Sequence, residues 1–244
     1  MADQLNLGFD LALPRATGVA PMWPVPRRDP FDSADHLFEP TWGGLRVLVF
    51  LQPSGGLRVV DSSSTDVADR LPELGGMRAQ VDARSAVIDG ELVAVDGRGR
   101  ADMAAFRARL AGEPVRTVSL LAFDLLHHNG SWLLGKPLEA RRALLRKVMA
   151  DGDAGVVVPA ITGEGRALYA AVVSQGIAGV LARSRTSPYL PGVRSRLWRS
   201  IAVRAADVSG PDDGAEPPEP EPGRRAGPPV LTVLRRLPLD LEGG

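Results

Sequence analysis

Two stretches decide the fold: Ser85–Val95, SAVIDGELVAV, and Val115–Leu126, VRTVSLLAFDLL. Both are apolar enough to be buried strands. Each also holds carboxylates inside the run, Asp89 and Glu91 in the first and Asp124 in the second. The first reads either as a strand pair around Asp89-Gly90-Glu91 or as one strand with a kink. The second reads as a single strand.

Outward from these, Leu45–Leu51 (LRVLVFL) is a buried strand, and Gly55-Gly56 turns it into Leu57–Asp61. Thr65–Leu74 has helical spacing, with Val67, Leu71 and Leu74 on one face and Thr65 or Ser64 as N-cap. Gly97–Gly99 reads as a turn, and Asp102 as the cap of a helix through Leu110. Pro137 suits the first position of a helix running to about Met149 and ending near Gly152. Val156–Pro159 is a short strand, Gly165–Gln175 a helix closed by Gly176, and Val180–Ala182 and Leu197–Val203 further strands. Runs of strand and helix in this mixture predict an α+β domain.

Residues 1–30 are proline-rich and aperiodic, an extended lead-in, and the domain covers 31–204. Residues 205–229 are mostly Pro, Gly, Asp, Glu, Ala and Arg, too polar to offset their ordering entropy, so a disordered linker is expected. Residues 230–244 include an apolar segment, VLTVLRRLPLDL, that reads as a docking element or a tail.

The chain has 244 residues, 29 basic and 29 acidic, with 44% hydrophobic content. That is enough for one large core or two small ones. The absence of cysteine excludes disulfides, thiolate metal sites and cysteine nucleophiles. His36, His127 and His128 are the only histidines, so no metal site is expected. No apolar run reaches 18 residues, and the N-terminus lacks a signal-peptide pattern, which together point to a cytoplasmic protein without membrane contact. Lysine occurs only at Lys136 and Lys147, and the rest of the basic residues are arginine, as a GC-rich genome encodes.

Four places carry candidate chemistry. Phe38–Arg46 (FEPTWGGLR) puts a glycine pair before a strand, either for close approach to a ligand or as an ordinary turn. Asp89-Gly90-Glu91 offers carboxylates to a metal or a ribose, or is a solvated hairpin edge. Phe123 could stack on a base, or belong to the core. Arg183, Arg185, Arg194, Arg196, Arg199 and Arg204, with Tyr189 and Trp198 between them, could contact phosphates, or form a solvated surface.

In sequence order these segments resemble the adenylation (nucleotidyltransferase) domain of ATP-dependent DNA ligases, most closely the bacterial end-joining type. The resemblance rests on Ala20-Pro21-Met22 and Phe38-Glu39-Pro40, on Arg70–Leu74 (RLPEL), and on Asp89–Val93 (DGELV). It continues through Ala122–His127 (AFDLLH), Gly135–Leu138 with Arg141–Leu145, Gly176–Arg183 (GIAGVLAR) and Ser187–Ser195, ending at Trp198. It implies an ATP-grasp-like fold with antiparallel sheets flanked by helices, a nucleotide site using ATP and Mg²⁺, and DNA or a repair protein as partner.

The resemblance places the family's nucleophilic lysine at Thr41 and its acidic partner at Gly43, so no catalytic residue is assigned. A phosphoramidate requires an amine, and no base is evident beside Thr41. The family's metal-binding glutamate falls at Ala178, its following lysine at Arg183, and its last two lysines at Ser200 and Ala202. An arginine near the ribose falls at Ser62. Arg46, Glu91, Phe123 and Arg183 remain as a degenerate nucleotide pocket. The C-terminal oligonucleotide-binding barrel of active ligases has no counterpart in the resemblance. Three readings follow: an inactive ligase homologue that binds nucleotide, DNA or a repair partner; an active ligase with an unusual nucleophile; or a protein-interaction scaffold.

Overall fold

The computed structural model describes residues 19–96 and 100–207. In chain order the strands are β1 (Trp23–Pro26), β2 (Ser33–Thr41), β3 (Leu45–Leu51), β4 (Leu57–Asp61), β5 (Ala86–Val93), β6 (Ser119–His128), β7 (Ser131–Trp132), β8 (Gly155–Val157), β9 (Ile161–Gly163), β10 (Gly179–Ser184) and β11 (Arg194–Ala202). The helices are α1 (Met77–Gln80), α2 (Met103–Leu110), α3 (Leu138–Val148) and α4 (Gly165–Ser174).

Two sheets form. One has the order β1-β11-β10-β2-β9; the other has β4-β3-β5-β6-β7, with β8 alongside β6. Pairing is antiparallel except for β1 with β11 and β6 with β8. The predicted α+β fold with antiparallel sheets and flanking helices is the observed one.

Strand alternation sorts the second sheet's residues to two faces. Val47, Val49 and Leu51 of β3, Ile88 and Leu92 of β5, and Leu120 and Leu125 of β6 join Leu71, Leu74, Phe106 and Leu145 in one apolar core. Leu48 and Phe50 of β3 and Val87 of β5 turn the other way, toward Tyr189 and Trp198. On that same face, β5 carries Asp89 and Glu91, both buried. This face looks at the first sheet, and the cleft between the two sheets holds the charged side chains.

Several local expectations match closely. β3 and β4 have the predicted bounds. Asp102 caps α2 by accepting a hydrogen bond from the Ala105 amide at 2.9 Å. The strand-with-a-kink alternative holds for β5, which is continuous with a register shift between Asp89 and Gly90. Pro137 sits one place earlier than predicted, as the cap of α3. Gly176, at φ 66°, follows α4 as expected of a left-handed terminator.

Thr65–Leu74 does not form an α-helix. It folds as two 3-10 turns, Ala68–Arg70 and Pro72–Gly76. The Asp66 carboxylate accepts from the Val59 and Ala68 amides, tying the segment's start to β4. Pro72 has no amide hydrogen and keeps Leu71 out of the helical region, at φ −130° and ψ 64°. The predicted apolar face is nonetheless right, since Val67, Leu71 and Leu74 are all buried.

The lead-in 1–30 contains β1, which pairs with β11; its first 18 residues lie outside the described ones. So do the turn at 97–99, residues 208–229 of the expected linker and the apolar segment 230–244. The beginning of that linker, Ala205–Asp207, is a 3-10 turn in which Asp207 takes a 2.6 Å hydrogen bond from the Tyr169 hydroxyl.

Candidate functional site

All five singled-out positions meet in the cleft. Thr41 ends β2, Arg46 lies on β3, Glu91 on β5, Phe123 on β6 and Arg183 on β10. The turn between Thr41 and β3 is tight for a packing reason. A Cβ on Gly44 would lie 2.2 Å from the Leu92 carbonyl oxygen and 2.7 Å from Val93 Cγ1. Glycine is required there because β5 passes against the turn, so of the two sequence readings the structural one accounts for Gly44.

That closeness brings Glu91 under the turn. Its carboxylate accepts from the Trp42 amide at 2.7 Å and from the Thr41 hydroxyl at 3.1 Å. Burial raises the Glu91 carboxyl above its ordinary value, against the lowering pull of those donors and of Arg46. A base therefore does stand beside Thr41, contrary to the sequence expectation. The signal was present in Asp-Gly-Glu, but its partner lies 50 residues away.

Next to it, Arg46 donates to both oxygens of Asp89 at 2.6 Å each. Asp89 also accepts from the Tyr189 hydroxyl at 2.8 Å. Burial and the Asp89 charge together push the Tyr189 phenol well above its ordinary value. Arg183 donates to both oxygens of Glu39 at 2.7 Å each, and to the Phe123 carbonyl at 2.9 Å. Arg142 also pairs with Glu39 and donates to the Phe123 and Val158 carbonyls at 2.6 and 2.5 Å. Burial pulls the Arg142 guanidinium down to about 10, which leaves it protonated at neutral pH. Arg141 donates to both oxygens of Asp124 at 2.9 and 2.8 Å.

Phe123 lies at the centre, only 1% exposed. The Arg46 and Arg183 guanidinium carbons stand 5.3 and 5.8 Å from its ring centroid, within cation–π range. The same two groups stand 5.9 and 4.9 Å from the Trp198 ring. Asp89, Tyr189 and Trp198, candidates in the sequence, join the site, and Glu39, Asp124, Arg141 and Arg142 belong to it although sequence reasoning gave them no role there. Adjacent Arg141 and Arg142 on a buried helix face were the available signal.

The arginine cluster of the sequence divides. Arg183 turns into the cleft, Arg194 donates to the Pro24 carbonyl, and Arg204 pairs with Asp207. Arg185, Arg196 and Arg199 face outward. Lys136 and Lys147 are exposed, Lys136 in the turn before α3 and Lys147 in its last turn. Among the described residues, no three or more histidine or acidic side chains stand together as a metal cage.

Residues 29–201 match the model of the ATP dependent DNA ligase domain. The chain belongs to that family. It is 34% identical over 166 residues to the multifunctional non-homologous end joining DNA repair protein LigD of Mycobacterium tuberculosis, covering 68% of this chain and 21% of that protein. It is 22% identical over 184 residues to the SPbeta prophage-derived DNA ligase-like protein LigB of Bacillus subtilis, covering 75% of this chain and 67% of the relative. The crystal structure of the M. tuberculosis LigD ligase domain superposes with a TM-score of 0.65 at 30% identity, covering 75% of this chain and 58% of that one. The chain therefore spans about a fifth of the LigD protein's length. Among the described residues no helix is long and apolar enough to cross a membrane.

Proposed function

We propose that this chain is a ligase-like adenylation domain that does not transfer AMP and acts by binding, to DNA or to a repair protein, in the cytoplasm. One observation carries the reading: the cleft is filled by its own paired charges, with Arg46 and Arg183 over the Phe123 ring. ATP and Mg²⁺ do not fit that arrangement. A base stacking on Phe123 would have to displace two guanidinium groups, each held by a bidentate carboxylate. Glu39, Asp89 and Asp124, which would otherwise be available to a cation, are each engaged by arginine. Thr41 stands at the nucleophile position of the resemblance, and both lysines are outside the cleft. The relatives named for end joining and DNA ligation support the DNA-repair setting.

A second reading is favoured by the Thr41–Glu91 contact: a hydroxyl beside a carboxylate whose proton affinity is raised is a recognised pair for nucleophilic attack. Incubating the full chain with α-labelled ATP and Mg²⁺ separates the two. The proposal expects no protein-bound label; label lost in Thr41→Ala would replace it with the second reading.

A further inference from the structure

We propose that a groove on the outer face of the first sheet, away from the cleft, binds the phosphodiester backbone of a nucleic-acid strand. The choice of nucleic acid rests on the DNA-repair reading above; the anion-binding character of the groove does not.

The groove encloses about 660 Å³ and is lined by Arg27, Phe31, His36, Arg185, Arg196 and Arg199. It arises from strand alternation. On β11, Trp198 and Arg199 point to opposite faces, so burying Trp198 in the cleft sends Arg199 outward. β2 does the same: Glu39 turns into the cleft, and His36 to the groove. Alternation brings Arg199 to the groove; Arg196, three residues earlier, also lines it because β11's pairing with β1 is irregular between Ser195 and Arg199. Arg27 follows β1 directly, in the sheet position next to β11.

Charge is not balanced there. Among the described residues, the carboxylates in the lining are Asp35 and Glu139. Glu139 is held by Arg185 at 2.9 Å. Arg27 stands 4.2 Å above the Phe31 ring and donates to the Asp29 carbonyl, which fixes its guanidinium without neutralising it. Among the described residues, neither Arg196 nor Arg199 forms an ion pair with a carboxylate. Burial holds His36 below its ordinary pKa. Asp35 opposes this, and Arg199 and Arg27 add to it, so the ring favours its neutral form in a positive field.

Unneutralised guanidinium groups lining an open groove suit phosphate oxygens, because a fork of N–H donors matches them and counterion release adds to affinity. Phe31 and the exposed Leu197 give sugar or base an apolar surface beside the charges. An acidic or phosphorylated peptide would meet the same charges. Arg27, Arg196 and Arg199, carried on neighbouring strands along an open groove, favour the repeated phosphates of an extended backbone, and the peptide is an outcome of the test.

The test is fluorescence anisotropy of the full chain with a labelled single-stranded oligonucleotide and its duplex, across a salt series. The double variant Arg196→Ala/Arg199→Ala should weaken binding about tenfold or more and lower the single-strand salt slope by about 1.4, roughly 0.7 per lost phosphate contact. Arg58→Ala, on the other sheet, should change neither. Photo-cross-linking of the unaltered chain to a halogenated oligonucleotide should map to residues 27–36 and 194–199, which tests the site even if the double variant folds poorly. Unchanged affinity with cross-links elsewhere would overturn the groove and leave the DNA-binding reading standing. No binding of either oligonucleotide would overturn both. Preferential binding of a phosphopeptide would overturn the nucleic-acid assignment.

Discussion

The two faces of the six-stranded sheet hold together by opposite means. One packs Val47, Ile88, Leu92, Leu120 and Leu125 against helices and 3-10 turns. The other faces Arg46, Arg141, Arg142 and Arg183 set against Glu39, Asp89, Asp124 and Glu91, nearly all of them buried. The apolar face tolerates imperfect partners, because burial is non-directional. The charged face tolerates none, because each ion depends on one particular neighbour for what it lost in leaving water. The cleft is therefore the more demanding region, and its specificity is spent on its own side chains.

Breaking that balance should show the difference. Asp124→Ala strands Arg141 in the interior with neither group exposed, and should cost about 3–5 kcal/mol in urea denaturation or prevent folding. Leu120→Ala removes only apolar contact from the opposite face and should cost about 3 kcal/mol. A cost for Asp124→Ala well below that for Leu120→Ala would mean that the cleft ions carry little of the fold.

Smaller effects sharpen the picture. Burial raises the Glu91 carboxyl above its ordinary 4.5, so the folded chain binds a proton that the unfolded chain has released. Stability from this group is present at low pH and falls as pH climbs above 4.5. Glu91→Gln keeps an acceptor for the Trp42 amide and removes the titration. Its stability relative to the unaltered chain should be higher at pH 7 than at pH 4, and an equal difference at both would refute the burial. Arg58→Ala breaks a pair with Asp66 that is about one third exposed on each side, and should shift stability by less than about 1 kcal/mol.

The apolar half of the fold was legible because its signals are local. β3, β4, α2 and α4 follow from alternation, helical spacing and caps that lie within a few residues. Thr65–Leu74 misled because apolar spacing at 67, 71 and 74 suits a helix, while Asp66 and Pro72 divide the backbone into shorter turns. β2 escaped notice because Glu39 stands in mid-strand, where a charge argues against burial until its partner is known. That partner, Arg183, is 144 residues distant. Arg46, Glu91, Phe123 and Arg183 could be named from their motifs; their partners Glu39 and Arg142 could not, since pairing depends on how the two sheets face each other.

The central claim is that the chain's own guanidinium groups occupy the place of a nucleotide. Titration calorimetry of the full chain with ATP and Mg²⁺ tests it most directly. The account predicts no saturable binding up to millimolar nucleotide, and saturable one-to-one binding that weakens in Phe123→Ala would contradict it.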